Sequence, residues 1–157
     1  MKVPIIRKFL GLYDTGKSQP DPQGLASHFS FIRPRTDDHD RCTTAASVIR
    51  DKSGLDAFID RVPKNEMQNV PHPEPNDDPI LRCPDVGFEK HMLLAIVSHD
   101  PNRFVELDIE RVELMSGTMR VLCDVHPRPV QQKILSYGCY CAAIVDRFDG
   151  DVVFERP

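Results

Sequence analysis

Residues 91–98 read HMLLAIVS, a nearly continuous apolar run between polar ends. Its length suits a strand buried on both faces better than a helix, and such a strand belongs at the centre of a sheet. The stretch 104–114, FVELDIERVEL, alternates at first, with Val105, Leu107 and Ile109 on one side and Glu106, Asp108 and Glu110 on the other. One face is dry and the other wet. Val112 and Leu114 then fall out of step, so the strand either carries a bulge near Glu110 and Arg111 or changes the face it covers. A helix grouping Leu107, Arg111 and Leu114 is the competing reading, and the β-branched residues count against it.

Working outward, Ser116-Gly117 offers a turn with an easy positive φ, and Met119, Val121, Cys123 and Val125 alternate after it, which predicts a hairpin. His126-Pro127-Arg128-Pro129 is expected to stop that strand, because each proline removes a backbone donor. Asp149-Gly150 predicts a second hairpin, between residues 141–148 and 151–155, with Val145 facing Phe154. In that register Ala143, Val145, Val152 and Phe154 share one face and Ile144 and Val153 the other, both covered.

The order VGFEKHMLLAIV at 86–97, an alternating strand, a second one after a glycine turn, and a closing AAIVDRFDGDVVFE at 142–155 together resemble the C-terminal domain of the PrcB family of protease-stabilising proteins. The likeness spans roughly residues 85–156. It implies a protein that binds proteins and has no catalytic residues to carry over.

The chain has 157 residues, 40% of them hydrophobic, enough for one domain with an adequate core and too few for two. A single domain over 1–157 is expected. The net charge of −4 disfavours nucleic acid and anionic membrane surfaces as partners. The N-terminal apolar run is broken by Pro4 and by Arg7-Lys8, so it does not form a signal-peptide core, and no run is long enough to span a membrane. Five cysteines, an odd number in a chain of this size, are read as reduced thiols of a cytoplasmic protein. Relatives in the resembling family are often exported.

Upstream, residues 5–13 predict a strand, residues 26–33 alternate with Phe29 and Phe31 facing the core, and residues 43–50 predict a strand feeding a helix. Ser53 is the expected cap of that helix, with Asp56 near its positive end and Leu55, Phe58, Ile59 and Val62 as one apolar stripe stopped by Pro63. The fold class is therefore α+β and mostly β: antiparallel hairpins forming a sandwich or a partly open barrel, with one packed helix.

Residues 63–84 carry repeated prolines among Asn, Asp and His and form a loop or arm with little apolar content. An extended Pro-rich arm loses little entropy on docking, so it is the candidate binding element. Val70, Ile80 and Leu81 are its apolar anchors, with His72 and Glu74 as polar flanks. A connector without a partner is the equal alternative. Asp37-Asp38-His39-Asp40 and Cys42 have metal-ligand chemistry but cannot all converge on one ion, and Cys139 and Cys141 read as small buried hydrophobes. No metal site, cofactor or catalytic residue is assigned. The expected function is a non-enzymatic protein-binding or complex-stabilising module. The alternative is a small cysteine-dependent or metal-dependent hydrolase, pairing Cys42 or Cys123 with His91, His99 or His126.

Overall fold

In a computed structural model, residues 1–14, 30–31, 43–64, 77–82, 84–99, 103–129 and 138–156 are described, with 30–31, 43, 99, 103–105 and 127–129 described by backbone alone. The described strands are β1 (Lys2–Val3), β2 (Arg7–Tyr13), β3 (Ser30–Phe31), β4 (Thr43–Ile49), β5 (His91–His99), β6 (Arg103–Met115), β7 (Thr118–Pro129), β8 (Gly138–Asp146) and β9 (Val152–Glu155). They form a four-stranded sheet in the order β1-β6-β7-β9 and a five-stranded sheet in the order β2-β8-β5-β4-β3. The fold is α+β and mostly β, two sheets that do not close into a barrel.

The apolar run that starts at His91 is the middle strand of the larger sheet, flanked by β8 and β4. It is buried on both sides. Met92, Leu94 and Ile96 join a core between the two sheets, while Leu93, Ala95 and Val97 join a second core under the helix. β8 divides in the same way, with Cys139, Cys141, Ala143 and Val145 in the first core and Tyr140, Ala142 and Ile144 in the second.

Helix α1 (Lys52–Ile59) follows β4 closely and lays Leu55, Phe58 and Ile59 into the second core, joined by Val62. Each such side chain contributes about 2 kcal/mol through burial. Its cap is Asp51, not Ser53: the Asp51 carboxylate accepts from the Gly54 amide at 2.7 Å, and Ser53 already lies inside the helix. Asp56 correspondingly falls outside the first turn.

The long hairpin matches its pattern. Ser116 and Gly117 take φ of 52° and 78°, a tight turn with both central residues left-handed. The register shifts between Ile109 and Arg111, which is the bulge the slipped alternation requires. The prolines do not end β7, however, since Pro127 pairs with Val105 and Pro129 with Arg103. β9 covers only Met119 to Leu122, so the far half of β7 has an open side among the described residues. On such an edge a missing donor breaks no ladder bond.

The Asp149-Gly150 hairpin does not form. β8 is already paired on both sides, by β2 and β5, which leaves no place for β9 beside it. The chain instead crosses to the other sheet, where β9 runs parallel to β7, and neither Asp149 nor Gly150 takes a positive φ. Arg50 secures this crossover through Nη2 to the carbonyls of Phe148 and Gly150 at 3.1 and 3.0 Å. Arg147 Nη1 donates to the carbonyls of Arg50 and Phe88 at 3.1 and 2.7 Å. Val145 and Phe154 thus meet the same inter-sheet core from opposite sheets, and Val153, expected to be covered, is 42% exposed. Among the described residues no helix is long and apolar enough to cross a membrane.

Candidate functional site

Of the arm residues singled out from the sequence, Val70, His72 and Glu74 lie outside the described residues. Ile80 and Leu81 sit in a 3-10 helix, Pro79–Arg82. Ile80 is fully enclosed in the second core, and Leu81 is half-buried against it, so this end of the arm is anchored to its own domain. The anchor is polar as well. The Asp78 carboxylate is buried, accepts the Ile80 amide at 3.1 Å and accepts the Tyr140 hydroxyl at 2.5 Å. Burial first, and then the bond and charge of Asp78, push the Tyr140 phenol well above its ordinary range. Tyr140 also meets Phe58 edge-on at 5.3 Å, which ties the arm's end to the helix.

The prominent concave feature lies next to this anchor. Lys8, Leu10 and Leu12 of β2 alternate with Phe9 and Tyr13, which are buried in the second core. These three side chains form one bank of an open groove of about 670 Å³, which Cys139 and Tyr140 also line. The opposite bank is the far half of the β6–β7 hairpin, contributing Glu106, Asp108, Asp124 and His126. The hairpin is long, β6 and β7 having 13 and 12 residues while β5 has 9, and, between the charged groove residues, Leu107 and Val125 seat in the core between the sheets.

The charged bank is set by register. Asp108 stands directly opposite Asp124, and Glu106 opposite His126. Like charges facing each other on a ladder are unfavourable, and here each aspartate has its own nitrogen partner. Lys8 Nζ reaches Asp108 at 2.7 Å, bridging the two sheets, and His126 Nε2 contacts Asp124 at 2.7 Å. Leu10, in the middle of β2, is 57% exposed. Among the described residues β8 pairs with one side of β2 and no strand pairs with the other.

Two of the described thiols, Cys123 and Cys141, are poor nucleophiles. Cys123 and His126 lie on opposite faces of β7, the cysteine in the core and the histidine on the groove bank. Desolvation, reinforced by Cys141, pushes the Cys123 thiol up to about 12, and desolvation pushes Cys141 up to about 11. A thiol with such a value carries almost no thiolate near neutrality. Cys139 and Cys141 form no disulfide and are buried on one face of β8, as their two-residue spacing predicts. The acidic loop at residues 37–42 lies outside the described residues, among which no group of three or more His, Cys, Asp or Glu side chains is placed to hold a metal ion.

The groove residues were not legible as a site. Glu106 and Asp108 read simply as the wet face of a strand, and Lys8 as part of a mixed N-terminal run. The usable signal was the hairpin register: counting back from Ser116-Gly117 through a bulge at Glu110 places Asp108 against Asp124. Comparison with protein-family models, with curated proteins and with solved structures returned no match.

Proposed function

We propose that this chain is a non-enzymatic protein-binding module that docks a partner protein along the open side of β2. The observation that carries this reading is Leu10, 57% exposed in the middle of a seven-residue strand whose outer side no described strand pairs, beside a groove of about 670 Å³. Exposed strand edges are templates for pairing with another chain, and proteins normally shorten or cover them. The groove's make-up supports binding, with leucines and charged groups together in its lining. The high-lying core thiols weigh against cysteine-dependent hydrolysis. A complex-stabilising role agrees with the resemblance of residues 85–156 to the PrcB family.

A photo-crosslinking amino acid at Leu10 tests the reading in cells that express the chain natively. The expected result is one discrete adduct with another protein, absent when the same probe replaces Val153, which is comparably exposed on β9. Adducts of equal yield at both positions, or none at Leu10, would overturn it.

A further inference from the structure

We infer that what docks here is a lone extended segment of the partner, without a sheet of its own, and that it inserts between β2 and β6 and hydrogen-bonds to both; this rests on the docking reading above and specifies its occupant. Two open strand edges border the groove, and the hydrogen bonds around them fix which groups each presents. The Arg147 amide bonds the Lys90 carbonyl at 2.9 Å, so in the same alternation Val145, Ala143 and Cys141 exchange bonds with β5, and Ile144, Ala142 and Tyr140 exchange them with β2. Their partners on β2 are Arg7, Phe9 and Gly11, which leaves the amides and carbonyls of Lys8, Leu10 and Leu12 pointing away from β8. On the hairpin, the Met119 amide donates to Asp151 and the Val125 carbonyl accepts from Arg156, both on the side of β7 away from β6. Val125 therefore exchanges no ladder bond with Leu107, and the Leu107 amide and carbonyl point away from β7. On that side of β6, β1 pairs only with Val112 and Glu113 among the described residues. Leu107 is 7% exposed, and main-chain groups at such depth normally find a partner.

The two edges face one gap. β2 begins shortly after β1 ends, so the chain leaves the outer side of β6 and runs on beside it, now paired with β8. Lys8 Nζ crosses to Asp108 at 2.7 Å, joining the strands through side-chain ends where no ladder joins them. Beyond that ion pair a smaller depression of about 430 Å³, between residues 2–5 and Glu110 and Arg111, continues the gap. An extended backbone carries donors and acceptors on both of its sides and can complete both ladders at once. The edge strand of a folded sheet has one side already paired, so a folded second copy satisfies β2 or β6 but not both. Leu12 and Leu107 belong with the core between the sheets, so every second side chain of the inserted strand turns toward that core and is apolar.

The test uses the full chain and three labelled neutral heptapeptides followed by fluorescence anisotropy: Thr-Val-Thr-Val-Thr-Val-Thr, the same peptide N-methylated at its valines, and the same peptide N-methylated at its threonines. Each methylated form lacks the donors of one strand edge and keeps those of the other. The parent peptide is expected to bind and both methylated forms to bind at least about tenfold more weakly. Hydrogen exchange read by NMR is expected to slow together at the amides of Leu10, Leu12 and Leu107 when the parent peptide is added. Full binding of either methylated form, or protection of Leu10 and Leu12 without Leu107, would show addition to one edge only and overturn insertion. Failure of the parent peptide to bind would overturn it as well. Protection of these amides that rises with protein concentration in the absence of peptide would give the gap to a second copy instead. The two readings fail separately: a Leu10 crosslink to a protein without joint protection of Leu10 and Leu107 removes only this inference, while loss of the crosslink removes the docking reading itself.

Discussion

Gly11 shows how closely the groove and the arm are joined at a single residue. A Cβ there would stand on Asp78 Oδ2 and press on the Tyr140 ring, so the glycine is what lets a buried carboxylate lie against the strand. Gly11→Ala is therefore expected to lower stability by about 1–3 kcal/mol through displacement of Asp78, measured by urea denaturation. An unchanged midpoint would mean that Asp78 does not occupy this seat. The core thiols make a second prediction at this scale. Cys123 rises from 9.0 to about 12 on folding and Cys141 from 9.0 to about 11, so above pH 9 the unfolded chain releases protons that the folded chain retains. Their contribution is complete below about pH 9 and is lost as pH climbs through 9 to 12. Stability measured against pH should fall on this alkaline limb, and the fall should be shallower in Cys123→Ala than in the parent chain. A limb of unchanged steepness would show that Cys123 titrates normally.

Among the elements, those built from local signals were legible and those decided by distant partners were not. The β5 run, the bulge after Ile109 and the Ser116-Gly117 turn all follow from side-chain alternation and turn chemistry within a few residues. The expected β8–β9 hairpin failed because β2, more than a hundred residues earlier, already occupies the edge that β9 would have taken. What holds the real crossover is Arg50, whose partners are main-chain carbonyls and leave no trace in the pattern of side chains. Arg50→Ala should cost about 2 kcal/mol, since charge-assisted bonds to two carbonyls are lost together. A shift below about 0.5 kcal/mol in thermal melting would show that the crossover holds without it. In the opposite direction, Ser116→Asn places at φ of 52° a residue that tolerates the left-handed region better, with an expected gain of about 0.5 kcal/mol. A loss of stability in the same melting experiment would contradict the turn geometry.

For the molecule as a whole, the groove lies where the long hairpin of one sheet meets the edge strand of the other. Neither strand reveals it alone, which is why the sequence pointed to the Pro-rich arm and missed Lys8, Leu10, Asp108 and Asp124 as one surface. The same pairing has a consequence in time. Arg7 pairs with Ile144, so β2 is synthesised well before its partner and can join its sheet only after β8 has emerged. The hairpin of β6 and β7 can form on its own in the interval, whereas the larger sheet must close loops of great length before its contacts repay the entropy. Refolding is accordingly expected in the slow range of two-state domains, roughly milliseconds to seconds. Until β8 arrives, the nascent chain carries Phe9, Leu10 and Leu12 with both edges of their strand bare, and this is the interval in which it has most to gain from a chaperone.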